Sequence, residues 1–441
     1  MVQISGNKYG FFPSGAFAWK VIDEAFMENI STISNLKLRV SYGQTGSQAI
    51  NAYNALSQAG GPAGWKLTSV DGRNPTTALY QTAMGNQDLK WETTTQTDIG
   101  IDLGLFENRL NITADYYYKK TSDLLFNKRY PNIADNDNQI IENVGSMENE
   151  GIDLNISAVI SDRNGFRWDA MVNFSWVRNE ILDLGTDANG AEVPFLVLSP
   201  VNERAGVKDE NSFWRITQVG KPLGAFYVPI FDGIVSTEEQ RANHPYFVSD
   251  AGSAVYKDVN GDGRINQNDR VIYGQAAPDF VGGITNNFSY KGIDLNIFFD
   301  YSIGNKVMNM TNYVLTRGGG QYNITKEYYD SYWREDVNTA SAKYPRADRS
   351  ILLSSHYVED GSFLRLRNVT LGYTLPESVL ESLNIRKLRL YATASNLLMI
   401  TKYSGMSPDV NVDITNNLGQ GLDYSAYPAS RLVMLGINIT L

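Results

Sequence analysis

The stretch IGIDLGLF at residues 99–106 is joined by the short turn ENR at 107–109 to LNITADYYYK at residues 110–119. In both segments apolar residues alternate with residues that are polar or glycine. Because successive side chains of a strand point to opposite faces, the pattern predicts a hairpin with one apolar and one polar face. Segments of about nine to eleven residues are long enough to cross a bilayer as tilted strands.

Similar segments recur along the whole chain. They lie at residues 9–20, 36–43, 99–106, 110–119, 151–160, 166–177, 281–290, 292–303, 363–374, 387–397 and 431–441. Short turns alternate with long loops, which we place near residues 44–95, 121–150, 178–280, 304–362 and 398–430. Outer-membrane β-barrels have short periplasmic turns and longer extracellular loops. If the last strand ends in the periplasm, all of these loops lie outside the cell.

The composition agrees with a barrel and excludes several other classes. Of the 441 residues 42% are hydrophobic and 20% are charged, and there is no cysteine. The chain has no run of about eighteen apolar residues, which a transmembrane helix needs, whereas barrel strands are only half apolar. A net charge of -10 argues against a nucleic-acid partner. The first residues lack the features of a secretion signal, so we expect any signal to lie upstream.

The eleven predicted segments are an odd number, whereas single-chain bacterial barrels usually have an even number of strands. Eleven is half of twenty-two, the number of strands in plugged outer-membrane transporters. An open half-sheet would expose two unpaired edges. We therefore expect an all-β protein in which residues 1–441 form the C-terminal half of a transmembrane antiparallel β-barrel.

Several short sequence segments carry a family resemblance. They are LKLRVSYGQTG at 36–46, NQDLKWE at 86–92, NVGSMENEGIDL at 143–154, the segment 256–270, GSFLRLRN at 361–368 and ASNL at 394–397. Together, in this order, they resemble signatures of the SusC/RagA family of TonB-dependent outer-membrane transporters. The resemblance implies the second half of a twenty-two-stranded receptor barrel in the outer membrane, with lipid around its apolar face.

The resemblance also implies a function and partners. Members of this family import oligosaccharides or oligopeptides beneath a SusD-like surface lipoprotein, with energy supplied through TonB. The N-terminal plug domain and the TonB-contacting segment are absent from these residues, so we expect TonB to act through that missing region. The chain ends at Leu441, where outer-membrane barrels commonly end in an aromatic residue.

The sharpest local motif is DVNGDGRINQND at residues 258–269. Its spacing matches that of a calcium-binding EF-hand loop, with glycine at the sixth position for the sharp turn. The predicted ligands are Asp258, Asn260, Asp262, Arg264 through its backbone carbonyl, Asn266 and Asp269. Because the twelfth residue is Asp instead of Glu, we expect modest affinity. The alternative is an Asx-rich turn that binds no metal.

Two further sets of residues are candidates for contact with a solute. The first consists of polar residues on the predicted inner face: Asp102, Asp115, Asp153, Asn155, Asp294, Asn296 and Asp300. For these we expect a role in the polar interior that any such barrel needs. The second consists of loop aromatics able to stack on sugar rings, although packing within the loops is our expectation for each: Trp65, Tyr80, Trp214, Tyr227 and Trp333.

The sequence gives little support for catalysis. His244 and His356 are the only histidines and are more than a hundred residues apart. No motif of a serine hydrolase, a zinc protease or a phosphate-binding loop is present. We therefore expect a transporter and not an enzyme. The competing interpretation is a soluble, secreted, calcium-stabilised β-rich protein that binds glycans.

Overall fold

In the computed structural model the described residues are 9–47, 56–60, 66–67, 76–77, 80–83, 85–86, 88–129, 139–186, 190–198, 214–244, 248, 250–317, 322–335, 337, 341–349, 351–381, 385–410 and 420–440. Eleven strands form one sheet in which every strand pairs antiparallel with the next along the chain. They are β1 (Ser14–Lys20), β2 (Ile33–Ser47), β3 (Glu92–Leu105), β4 (Leu110–Ser122), β5 (Ser146–Arg163), β6 (Phe166–Asp183), β7 (Phe280–Tyr290), β8 (Ile293–Ile303), β9 (Phe363–Thr374), β10 (Lys387–Thr401) and β11 (Leu432–Thr440). The predicted all-β class and the number of strands are confirmed.

Short and long connections alternate around the sheet as the sequence pattern predicts. We call the end with the short connections the turn side and the opposite end the loop side. Residues 164–165 join β5 to β6, and residues 291–292 join β7 to β8. Asn164 and Gly165 both have positive φ, at 54° and 76°, which suits a two-residue hairpin turn because its twist matches that of the strands. The long connections follow β2, β4, β6, β8 and β10.

Several strands are longer than predicted, mainly at the loop side, although β2 also begins earlier, at Ile33, and β5 continues to Arg163 at the turn side. β3 begins at Glu92, β5 begins at Ser146 and β6 continues to Asp183. In these extensions polar residues lie on both faces, as in Thr93–Thr95 and Arg178–Glu180, so apolar alternation cannot reveal them. β2 and β10 are likewise extended, to Ser47 and Thr401. The predicted loop boundaries at residues 44, 95, 150, 178 and 398 therefore lie inside strands.

The two terminal strands are shorter than predicted. β1 begins at Ser14, not at residue 9, and Pro13 immediately precedes it. Proline lacks the N–H that a ladder needs, although its carbonyl still accepts from the Gln44 amide at 2.9 Å. β11 covers Leu432–Thr440, and residue 441 lies outside the described residues.

One face of the sheet carries apolar rows that run straight across the strands. In register, one such row consists of Trp19, Leu38, Ile101, Ala114, Leu154 and Phe174. Ile99 on the same face is 53% exposed, and Leu435 on β11 is 84% exposed. A contiguous apolar surface of this kind is costly in water and suits contact with lipid tails.

The long connections contain their own secondary structure. Their strands are Gln58–Gly60, Lys66–Leu67, Thr76–Thr77, Tyr80–Ala83, Leu125–Arg129, Gln139–Asn143, Phe195–Leu198, Arg215–Gln218, Ala225–Pro229, Phe231–Ile234, Ala254–Tyr256, Arg270–Gly274, Lys306–Asn309, Val358–Asp360 and Leu422–Asp423. Their helices are α1 (Glu238–Ala242), α2 (Met310–Leu315) and α3 (Lys326–Ser331), whereas α4 (Glu377–Leu380) lies in the short connection between β9 and β10. The Thr237 hydroxyl caps the N-terminus of α1 by accepting from the Gln240 amide. In the described part of the chain, no helix is long and apolar enough to cross a membrane.

The described residues of three of these connections, within 184–279, 304–362 and 402–431, pack together into one unit, which we call the loop assembly. Its apolar core consists of Trp214, Phe226, Val228, Met308, Met310, Tyr313, Ile351, Leu353, Tyr357, Val358 and Leu422. The strand Lys306–Asn309 pairs on one side with Val358–Asp360 of its own connection and on the other side with Leu422–Asp423. The second pairing links two of the connections. The main buried core of the described chain thus lies beyond the strand ends, on the loop side.

Candidate functional site

The face of the sheet opposite the apolar rows carries ion pairs that cross strands, and we call it the inner face. Arg39 on β2 donates from Nε and Nη2 to both carboxylate oxygens of Asp102 on β3, each at 3.1 Å. Its Nη2 also lies 2.8 Å from Oδ1 of Asp115 on β4. Bidentate guanidinium–carboxylate pairs are strong and directional. This cluster therefore joins three successive strands.

A glycine makes the reach of Arg39 possible. Gly100 pairs with Arg39 on one side and with Asp115 on the other, so it separates them. A Cβ at Gly100 would overlap the Asp115 carboxylate and come within 2.8 Å of the Arg39 Nη2 atom. Without a side chain on β3 at this point, the guanidinium can lie flat along the wall. We call this arrangement an arginine strap.

A second arginine strap is built in the same way. Arg389 on β10 donates from Nε to Asp294 on β8 at 2.9 Å, and from Nη2 to the other oxygen at 2.5 Å. The strand between them carries Gly372 opposite Asp294. A Cβ there would lie 2.5 Å from both partners. In both straps the charged side chains lie along the inner face of the sheet and do not project away from it.

The polar residues that the sequence places on the inner face form hydrogen bonds and salt bridges with neighbouring side chains of the sheet. Asp102, Asp115, Asp294 and Asp300 are held by arginines. Asp153 accepts from the Ser175 hydroxyl at 2.5 Å, and Asn296 donates to Asn287 across the hairpin at 2.7 Å. These contacts agree with the expected structural role in a polar interior.

The predicted loop aromatics serve mainly to pack the loop assembly. Trp214 is buried and stacks on Phe226 at 5.8 Å between ring centroids. Trp333 is buried, and its indole N–H donates to the Ser236 carbonyl at 3.1 Å. Neither ring is open to a sugar, whereas Tyr227 is half-buried in the strand Ala225–Pro229. Trp65 lies outside the described residues, and so does the side chain of Tyr80.

The loop assembly buries an arginine that the sequence analysis did not single out. Arg215 lies over the rings of Trp214 and Phe226, at 4.5 and 4.8 Å from their centroids. It donates to the backbone carbonyl of Gly224 at 3.0 Å and to that of Gln420. Burial lowers the pKa of Arg215 to about 9, so the guanidinium remains charged at neutral pH. Through Gln420 it fastens the last long connection to the first part of the assembly.

His356 also belongs to the interior of the loop assembly. Its ring meets Phe231 edge-on at 4.7 Å and Tyr344 at 5.3 Å between centroids. Burial lowers the pKa of His356, so the neutral imidazole is favoured at neutral pH. These aromatic contacts give the residue a packing role where residues 184–279 meet residues 304–362.

In the predicted calcium loop at 258–269, the Asp and Asn side chains accept hydrogen bonds from the backbone amides of the same loop. The Asp258 carboxylate accepts from the amides of Gly261 and Gly263, at 2.7 and 2.9 Å. Further bonds of this kind run from Asp262 to Asn260, Arg264 to Asp262, Asn268 to Asn266, and from Val259 and Asn266 to Asp269. Among the described residues, no three acidic or histidine side chains converge as a metal site. Calcium binding stays a prediction.

The calcium prediction can be tested by proteolysis of the full-length protein. If calcium holds the loop, chelation should speed cleavage within residues 250–280 of the wild type. Substituting both Asp258→Ala and Asp262→Ala should give fast cleavage whether or not calcium is present, because the ligands are lost. The control is Asp232→Ala, an exposed carboxylate in the neighbouring strand Phe231–Ile234. Equal cleavage of the wild type with and without chelator would exclude a calcium staple.

Comparison with known sequences identifies the family. The profile described as "TonB dependent receptor-like, beta-barrel" matches residues 2–397. The chain belongs to this family. TonB-dependent receptor P3 of Formosa agariphila is 35% identical over 98% of the chain, and TonB-dependent receptor SusC of Bacteroides thetaiotaomicron is 28% identical over 98%. The structure titled RagAB peptide transporter superposes with a TM-score of 0.80 over 98% of the chain, at 27% identity.

These comparisons confirm the SusC/RagA resemblance, the barrel fold and the outer-membrane location. The relatives are receptors and transporters, not enzymes, and the family decides against a soluble glycan-binding protein. The chain spans 42% of the length of receptor P3, 40% of SusC and 44% of the matched chain in the RagAB structure. The fold of this chain is thus compared with only part of each relative.

Proposed function

We propose that this chain forms part of the wall and the outer loops of a TonB-dependent importer for oligosaccharides or oligopeptides. The observation that carries the proposal is the eleven-stranded sheet with its loop assembly, which superposes on the RagAB structure with a TM-score of 0.80. A polar, ion-paired inner face beside an apolar outer face is what a solute pathway through a membrane requires.

We further propose two partners. A SusD-like surface lipoprotein would cap the loop side, where the long connections and the loop assembly lie. TonB would act on a plug domain supplied by a part of the protein outside these residues. In support of both, SusC is among the relatives, and RagAB is titled a peptide transporter. We also propose that the loop side faces the outside of the cell, because outer-membrane barrels carry their long loops there.

Growth of a deletion strain tests the proposed function. Cells that lack the gene should fail to grow on one defined oligosaccharide or oligopeptide while still growing on its monomers. Cells that lack TonB should show the same defect, because import is energised through it. Restoring the gene should restore growth. Unchanged growth on every glycan and peptide offered, together with uptake that persists without TonB, would contradict an import function.

A further inference from the structure

A pocket of about 420 Å³ lies where the sheet meets the loop assembly. The wall strands contribute Asp300, Ser302 and Arg365 to its lining. The connection after β10, which the structure describes at residues 402–410 and 420–431 and which we call the last loop, contributes the segment 408–410 and the pair Gln420 and Gly421. Because one side of the pocket is made by the last loop, the pocket keeps its shape only while that loop stays against the wall.

Arg365 joins the wall to the last loop through two carboxylates. Its Nε donates to both Asp300 oxygens, at 3.0 and 3.2 Å, and Nη2 contacts Asp300 as well. Its Nη1 donates to Asp409 Oδ2 at 2.9 Å. The Arg365 side chain is only 5% exposed, whereas that of Asp409 is 55% exposed. The arginine is therefore fixed in the wall, and Asp409 is the partner that can leave.

The other end of the last loop is fixed more firmly. Leu422 pairs with Met308, and the buried Asp423 accepts from the Tyr403 hydroxyl at 2.6 Å and from the Thr311 hydroxyl at 3.2 Å. Within the described residues, the contact between Asp409 and Arg365 is the only salt bridge of the last loop. The start of the loop is held as well, because the amide and the hydroxyl of Ser404 donate to Glu359 at 2.7 and 2.8 Å. Release of Asp409 would thus free residues 405–410, while Ser404 and the Asp423 end stay anchored.

We propose that Asp300, Arg365 and Asp409 form a latch that holds the last loop over this pocket, and that the pocket takes a hydrogen-bond-donating part of the solute, such as a hydroxyl or amide group, that carries no negative charge. Carboxylate oxygens only accept hydrogen bonds, so the donors of such a group can compete with Arg365 for Asp409. Arg365 and, at 3.7 Å, Arg367 already neutralise Asp300, so the 55% exposed Asp409 is the carboxylate that a solute meets, and it would repel an anionic group. This inference rests on the proposed import function for the identity of the solute, but the latch itself can be tested without transport.

The first test follows the motion of the last loop. The chain has no cysteine, so Met406→Cys places a single label in this chain on a side chain that is 76% exposed. A spin label there, in the full-length protein in outer membranes, reports how mobile the loop is. Adding Asp409→Ala should raise the mobile fraction roughly three- to tenfold, because a half-exposed charged pair contributes modestly. The control Asp348→Ala removes an exposed carboxylate paired with Arg346 elsewhere and should change nothing.

The second test follows access to the pocket. Ser302→Cys is a conservative change in the pocket lining. With the latch intact, 2-hydroxyethyl methanethiosulfonate should modify it faster than the anionic 2-sulfonatoethyl reagent. Asp409→Ala should raise both rates several-fold and reduce the difference between them.

A label at Met406→Cys that is equally mobile with and without Asp409 would overturn the latch. Equal rates for the two reagents with the latch intact would overturn the assignment of a ligand without negative charge, and this outcome does not depend on the growth tests.

Discussion

An arginine in place of Ile101 should largely prevent this barrel from assembling. Ile101 lies in the middle of an apolar row between Leu38 and Ala114. A charged side chain at the bilayer midplane on the lipid face costs about 2–4 kcal/mol. We expect the folded fraction of the full-length Ile101→Arg variant in outer membranes to fall steeply, measured by heat modifiability in gel electrophoresis.

The matched control for Ile101→Arg places the same side chain on the other face. Asn155 is on β5 and pairs with Thr113 of β4, in the inner row that includes Asp102. Asn155→Arg should assemble nearly as well as the wild type, since its charge meets a polar wall. If both variants assembled equally well, or if Asn155→Arg were the worse of the two, our assignment of the lipid face would be wrong.

Adding one methyl group at Gly100 should have the second largest effect. In the Gly100→Ala variant the new Cβ would overlap the Asp115 carboxylate and press on the Arg39 guanidinium. Arg39 would have to leave Asp115, and this mostly buried carboxylate would lose its salt bridge while Arg39 keeps Asp102. We expect the free energy of unfolding to fall by about 2–3 kcal/mol. Urea titration of the full-length protein in detergent measures this difference.

Two further variants isolate the cause of the Gly100 effect. Gly15→Ala adds the same methyl group in β1, where nothing lies within 4 Å of the new atom, and should be nearly neutral. In an Asp115→Ala background, Gly100→Ala should cost much less, because the carboxylate it overlaps is gone. A full loss of stability in that background would show that the strap is not the reason for glycine at this position.

Local alternation was sufficient to predict the sheet. Because successive side chains of a strand lie on opposite faces, segments such as 99–106 and 363–374 could each be recognised from their own residues. The alternation of long loops and short turns then followed from the spacing of these segments. The extensions of β3 back to Glu92 and of β6 forward to Asp183 could not be predicted, because polar residues occupy both faces of the strands there. Backbone pairing alone defines the strands at those ends.

The loop assembly and the latch could not be predicted from the sequence, because both depend on contacts between distant segments. Trp214, Met308 and Tyr357 share one core although about fifty to ninety residues separate neighbours in the sequence. Arg365 and Asp409 come from a strand and a loop with a whole strand between them. The arginine straps did leave a signal: once the strands are aligned, Gly100 stands opposite both Arg39 and Asp115.

The most direct test of the account is a cysteine scan along β3 of the full-length protein in lipid bilayers. Each position from Thr97 to Leu105 would carry one spin label, and its relaxation by oxygen, which enters lipid, would be compared with that by a water-soluble nickel chelate. We predict high oxygen access at 99, 101, 103 and 105 and low access at the positions between them. Labels that showed no period of two, or the opposite alternation, would contradict a barrel wall with this face toward the membrane.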